Sequence, residues 1–341
     1  IIILSGCVKP PQPPDVENQG PLRGKILVLN EGLFQQNNAS ITLINPETDE
    51  VVDNWFQLTY GRPLGDTGND MIQYGDKIYI VVNVSGTIEV INTKTGDFRK
   101  QILLQDGTQN SKQPRTALPV DESVWVTNFD GTVSVIDTAT LSITGEIQVG
   151  RNPEGLTRYQ DRVFVANSGG LDYPNYDTTV SVIDVHTKAE TRKVTIGPNA
   201  SQVAADEYGN VYVLSRGDYN NIPPQLYIID AGSYEAELFG KDSVHSVQVL
   251  NNQLYVSRDV NGNRKMEVYN TFSMQQTGSI DLPWDQFSTI GGAVIQNNGN
   301  IFCKDLSNYT NNGWVHEVNS NGVILKSWMT GLIPNTVLKV E

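Results

Sequence analysis

From about residue 24 to the C-terminus, apolar and polar residues alternate with a period of two in short runs, separated by turns rich in Gly, Asn and Asp. One unit recurs seven times: an alternating apolar strand that ends in Asn or Asp, usually followed within three residues by Thr or Ser. Its copies are Ile41 to Asn45, Ile88 to Asn92, Val133 to Asp137, Val180 to Asp184, Leu226 to Asp230, Met266 to Asn270 and Val315 to Asn319. They lie about 40 to 49 residues apart, the interval of a four-stranded propeller blade. A second strand precedes each copy: Ile26 to Asn30, Ile78 to Asn83, Val124 to Asn128, Val163 to Asn167, Val211 to Ser215, Leu254 to Arg258 and Ile301 to Asp305. Its second position often holds an aromatic residue (Tyr79, Trp125, Phe164, Tyr212, Tyr255 and Phe302). No helix-period stretch of useful length competes. The expected fold is all β, a seven-bladed β-propeller with four-stranded antiparallel blades.

Inner strands follow a Pro or a small polar residue, as at Asn152-Pro153 and Asn199-Ala200. The last such segment, Pro334 to Val340, has no blade after it, while the first repeat begins on its second strand. The C-terminal strand is therefore expected to complete the first blade and leave only short edges. The Asn or Asp and Thr or Ser of each repeat are accounted for by turn chemistry, because their side chains bond to nearby backbone. Cys303 lies on a core strand and reads as an apolar filler.

The opening residues Ile1-Ile2-Ile3-Leu4-Ser5-Gly6-Cys7 resemble the apolar tail and cleavage box of a bacterial lipoprotein signal. The run Val8 to Asp15 holds four prolines and favours an extended spacer. The chain accordingly divides into residues 1–6, a signal-peptide remnant; 7–22, a Pro-rich tether lipidated at Cys7; and 23–341, the propeller. The expectation is a protein held at the outer membrane by its lipid anchor alone and exposed at the cell surface.

Charge narrows the partners. Lys and Arg total 24 against 38 Asp and Glu, a net charge of −14 with no basic cluster, which argues against nucleic acid. Two cysteines provide no disulfide framework, and three scattered histidines do not favour a His-built metal centre.

Loop lengths distinguish the two ends of the expected ring. Connections between first and second strands are short, whereas those that emerge opposite are long and aromatic, and extra length on one end of a rigid scaffold is where function usually resides. Candidate ligand-binding residues there are Phe34, Tyr60, Arg62, Arg115, Phe129, Tyr173, Tyr176, Arg216, Tyr219, Arg258, Trp284, Phe287, Tyr309 and Trp314. Flat aromatic rings, amides and a few guanidinium groups suit a large, mostly uncharged molecule fringed with amides or hydroxyls. Turn geometry and packing between loops are the alternative for any one of them. Asp70, Arg115, Glu154, Gln202, His245 and Asn335, at the starts of inner strands, are expected to ring the axial channel. There they form either paired, solvated charges or a catalytic or metal site built on His245 near Glu154. Asp259 to Asn263 with Glu267 matches a calcium loop only weakly. No catalytic residue, metal ligand or resident cofactor is assigned.

Several stretches together resemble a known family: Leu29 to Phe34 with Asn38-Ala39-Ser40, Gly65-Asp66 ahead of Met71, Ile80 to Asn83, Gln113-Pro114-Arg115, Ala166 to Pro174 and Ile333-Pro334-Asn335. The family is that of the YncE-like seven-bladed surface lipoproteins of gut Bacteroides, among which the BtuG-type cobalamin-capture proteins are the most similar. The resemblance runs from about Gly24 to Glu341. It implies a non-enzymatic protein that binds cobalamin as a transported ligand and delivers it to a TonB-dependent outer-membrane transporter. It supplies no residue-level corrinoid motif, so the site residues rest on loop geometry. A lactonase- or lyase-like propeller enzyme and a surface glycan-binding or cell-layer protein are the alternatives.

Overall fold

Strand pairing gathers the chain into seven four-stranded antiparallel sheets, in a computed structural model that describes residues 22–240, 243–261 and 263–341. Cys7 and the tether lie outside the described residues. Blades 2 to 7 are sequential along the chain, with inner strands Gly68–Tyr74, Pro114–Val120, Pro153–Tyr159, Ala200–Ala205, Val244–Leu250 and Ile290–Ile295. Blade 1 is composite. Its inner strand is the C-terminal Pro334–Lys339, which pairs Lys339 with Ile26, Leu338 with Leu27 and Val337 with Val28 of the first strand, Ile26–Asn30. The Gly24 N–H to Val340 carbonyl bond (2.8 Å) and its reciprocal from Val340 to Lys25 (2.9 Å) extend the ladder, closing the ring as expected.

Each blade alternates its side chains between two neighbours, so the core is divided into seven clusters, one at every interface between blades. The recurrent aromatic position explains how the wedge between sheets is filled. Tyr79 packs towards blade 3, Trp125 towards blade 4, Phe164 towards blade 5, Tyr212 towards blade 6 and Phe302 towards blade 1, all essentially buried. Cys303 is buried and free, its thiol pushed up to about 12 by loss of water.

The conserved spacing of Asn and Asp also has its physical cause in view. In all seven blades the side-chain oxygen at the end of the third strand accepts backbone N–H groups two to four residues on, as Asp184 does from His186 (3.0 Å) and Thr187 (2.7 Å). These are the tight turns of the short-loop end.

The alternation did not signal helix, yet among the described residues two short helical turns occur, both in connections between blades: Trp55–Tyr60 and the 3-10 turn Trp284–Gln286. Trp55 and Phe56 are buried against blades 1 and 2, so the first turn serves as a plug at that interface. Among the described residues no helix is long and apolar enough to cross a membrane.

Candidate functional site

The connections from second to third strand and from one blade to the next emerge together at the end opposite the tight turns. Two of them carry an aromatic crest. Tyr176 meets Tyr173 on one side and Tyr219 on the other, both edge to face at 6.0 Å between ring centres, a geometry that contributes about 0.5–1.5 kcal/mol per pair beyond burial. Tyr173 and Tyr219 are nonetheless 70% and 68% exposed, and Leu171, Phe34 and Tyr309 stand out in the same way.

These side chains are exposed on loops that are themselves pinned. The Asp218 carboxylate accepts three backbone N–H groups, from Asn220 (2.9 Å), Asn221 and Ile222 (both 2.7 Å), which hold it below the usual carboxylate range and fix the turn bearing Tyr219. The same turn needs Gly217, at φ +73°, where a Cβ would lie 1.9 Å from the Ile222 carbonyl oxygen. Arg151 ties down the Tyr173–Tyr176 loop through Asp172, the Asn175 carbonyl (2.9 Å) and its own N–H to Asp177 (3.0 Å). Asp66, buried, accepts the N–H groups of Gln35 (3.1 Å) and Asn37 (2.9 Å) and so sets the loop that presents Phe34. Rigid loops with exposed rings lose little entropy on contact with a ligand.

Inside the crest a polar belt crosses from blade to blade around the axis. Lys304 of blade 7 donates to the Asn335 carbonyl of blade 1. The Asn335 amide donates to the carbonyls of Gly68 (3.2 Å) and Asn69 (2.9 Å) of blade 2. Asn69 and Arg115 of blade 3 bond reciprocally, side chain to backbone and side chain to side chain. Arg115 then grips Glu154 of blade 4 through Nε (3.0 Å) and Nη2 (2.9 Å), over the ring of Phe129 at 4.5 Å. Arg216 of blade 5 approaches the other Glu154 oxygen at 3.4 Å. Asp70 accepts from Met71 and Ala117 (2.9 Å each) and its pKa is pushed up to about 6 by burial, against the pull of those bonds and of Arg115. Glu31, above it, is also raised by burial in spite of Arg115 and Lys304.

The belt stops at blade 6. His245 is held within that blade, its Nε2 3.0 Å from Asp259 and 2.8 Å from Arg264, so it is not brought together with Glu154 and the two form no joint site. Gln202 instead receives the Val247 N–H (3.0 Å), a seam between blades 5 and 6. Asp259 bonds Arg264 as well, and Glu267 lies 3.7 Å from Arg258, so the weak calcium pattern resolves into ion pairs. Among the described residues no group of three or more His, Cys, Asp or Glu is placed to hold a metal.

Thus Arg115, Phe129 and Arg216 fall on the axis, and Phe34, Tyr173, Tyr176, Tyr219 and Tyr309 on the exposed loops around it. Others serve the scaffold. Arg62 neutralises the fully buried Glu89 at 2.7 Å, sandwiched by Phe56 and Phe98, because a carboxylate at that interface needs a cation. Tyr60 packs on Trp55, Phe56 and Phe98, and its hydroxyl reaches Gly96 in a turn at the short-loop end (2.5 Å). Trp284 is 8% exposed in the core between blades 6 and 7, edge to face with Phe287, which stacks on His316 at 4.5 Å. Trp314 continues that stack on the flank of blade 7 at 6.4 Å. Arg258 is paired with Glu267 on the strands of blade 6.

Sequence reasoning missed Glu31, Asp66, Asn69 and Lys304. Lys304 carried a signal: it is a lone cation in the apolar run Ile301-Phe302-Cys303, facing Gly291-Gly292.

Ring and site together define a seven-bladed propeller with an elaborated loop end. Residues 24–239, well over half of the chain, match the family described as Domain of unknown function (DUF5074), and the chain belongs to that family. No curated protein matches it. Solved structures share the fold. A quinonprotein alcohol dehydrogenase-like protein from Bacteroides thetaiotaomicron is 13% identical over 94% of this chain and 79% of its own, with a TM-score of 0.63. The hydrazine synthase of Kuenenia stuttgartiensis is 14% identical over 71% of this chain and 74% of its own, with a TM-score of 0.56. The computationally designed Ika8 protein is 13% identical over 76% and 85%, at 0.50.

Proposed function

We propose that this protein is a non-enzymatic capture protein, lipid-anchored at the outer membrane, whose long-loop end binds cobalamin or a related corrinoid and passes it to a TonB-dependent transporter. One observation carries the reading: the exposed Tyr173 and Tyr219 rings, bridged by the half-buried Tyr176, stand on pinned loops at the end of the ring where the polar groups Arg115, Arg216 and Asn69 line the axis. A planar macrocycle rimmed with amides finds ring faces and hydrogen-bonding groups there in one surface, with little reorganisation. The sequence resemblance to cobalamin-capture lipoproteins supports the same ligand. In the enzyme alternative His245 and Glu154 share a site, whereas here each has other partners.

Calorimetry with cyanocobalamin tests the reading. Saturable binding at one ligand per chain, with a raised melting midpoint, is the expected result. Absence of heat and of a melting shift at saturating ligand contradicts it.

A further inference from the structure

Lys304 is an unusual group to find at the axis of a propeller. It sits on the second strand of blade 7, one layer back from the channel, and pairs in register with Gly292 of the inner strand. Gly291 and Gly292 carry no side chain to stand in its way. A Cβ on Gly291 would lie 3.0 Å from the Lys304 Cβ, and one on Gly292 would lie 3.8 Å from its Cε. The glycine pair therefore opens a passage through which the ammonium reaches Asn335 of blade 1.

Once there, its surroundings are those of a cation with donors to spare. An ammonium has three N–H groups, and the Asn335 carbonyl is the single acceptor for Lys304 among the described residues. No carboxylate lies within ion-pair distance of it among them. The other axial charges are differently placed. Glu154 is shared by Arg115 and Arg216, and Asp70 is occupied by two backbone N–H groups. Burying an ammonium against one carbonyl is costly unless an acceptor of opposite charge completes the shell.

We infer that Lys304 forms an oxyanion subsite that takes one phosphate-type or carboxylate group of a ligand at the mouth of the channel. The inference concerns the anion alone and does not depend on the rest of the ligand being a corrinoid. The groups that face the subsite also give it a direction of pH dependence. Glu31 faces Lys304 and Arg115, and Asp70 faces Arg115; both carboxyls are raised by burial, while Lys304 is lowered to about 8 by the same cause. Acidification from pH 7.5 to 5.5 neutralises Asp70 in part and completes the charge on Lys304. Anion binding therefore strengthens as pH falls.

Sulfate, whose charge is constant over that range, is the primary probe, followed by titration calorimetry on the whole protein. The expected result is one saturable site, tightened severalfold from pH 7.5 to 5.5, weakened at least tenfold in Lys304→Met and largely retained in Lys304→Arg. Arg158→Gln, which breaks an ion pair with Asp121 at the opposite end, leaves it unchanged. Methyl phosphate and acetate distinguish the two ligand chemistries by which competes better. Should Lys304→Met fail to fold, acetylation of the wild-type protein read by mass spectrometry replaces it: sulfate should protect Lys304 and leave Lys77 unprotected. Equal sulfate affinity in Lys304→Met, or acetylation of Lys304 indifferent to sulfate, overturns the subsite. A protein that binds sulfate at Lys304 but no cyanocobalamin keeps this inference and loses the corrinoid reading.

Discussion

The two ends of the ring are built on different principles. At the short-loop end one device is repeated seven times: the terminal Asn or Asp of each third strand caps its own turn. At the long-loop end several loops carry anchors of their own, beside the Asp130–Thr132 and Asp177–Thr179 caps, which are alike. Asp66 reaches across to Gln35 and Asn37, Arg151 ties down Asp172 and Asn175, and Asp218 closes a turn upon itself. The short-loop end thus repeats one device, whereas the long-loop end adds anchors that vary from loop to loop. Exposed apolar residues are not confined to the crest, since Tyr208 and Phe272 pair at 5.2 Å among the tight turns. They provide a natural control.

The comparison can be broken in several places. The largest effect is expected from removing residues 334–341, which takes away the inner strand of blade 1. The melting midpoint should fall by more than about 10 °C, at about 3 °C per kcal/mol for a chain of this class, and an unchanged midpoint would show that the ring does not depend on its C-terminal strand. Next comes Glu154→Gln, which leaves Arg115 facing the axis without its carboxylate. A loss of about 3 kcal/mol in urea unfolding is expected; loss of ligand affinity without loss of stability would move Glu154 from the scaffold to the binding surface.

Asp66→Ala sharpens the contrast between the ends. About 2 kcal/mol of stability should be lost, with faster hydrogen exchange concentrated at Gln35 and Asn37, whereas uniform exchange around the ring would deny Asp66 a local role. Its counterpart at the other end, Asp184→Ala, should cost about 1 kcal/mol and leave ligand binding unaltered, as calorimetry would show.

The smallest effect is electrostatic. The Asp70 carboxyl is raised to about 6 from 3.8, so between those values the folded protein holds a proton that the unfolded chain releases. The contribution of this group to stability is present below pH 4 and is lost as pH rises through 6. Asp70→Asn should remove that slope, and identical pH–stability curves for the two proteins would contradict the raised value.

Much of this was legible in the residues themselves. Period-two alternation placed the strands to within about two residues: the second strand of blade 2 was expected at Ile78 to Asn83 and is Lys77–Val82. The unpaired segment from Pro334 predicted ring closure because a strand with no blade of its own must find a partner. Loop length found Tyr173, Tyr176 and Tyr219, since extra residues at a loop tip have nowhere to go but outward. The same rule over-reached at Tyr60, Arg62 and Trp284. A loop aromatic can as readily turn inward, and the pattern of a six-residue helix is too short to reveal Trp55 and Phe56 as its buried face. The axial belt was half legible: Arg115 and Glu154 start inner strands, but Lys304 comes from a second strand and Glu31 from the loop that follows one. Their reach depends on neighbours far away in sequence, above all on the absence of side chains at Gly291 and Gly292.

The central claim is that the long-loop end is the capture surface, and paired substitution at the two ends tests it most directly. Cyanocobalamin titrations of the double variant Tyr176→Ala with Tyr219→Ala should show affinity reduced at least about thirtyfold, about 1–2 kcal/mol for each ring removed, with the melting midpoint lowered by no more than about 10 °C through loss of the two ring pairs. The double variant Tyr208→Ala with Phe272→Ala should bind as the wild type does. Equal loss in both, or loss in the second alone, would place the ligand elsewhere and contradict the account.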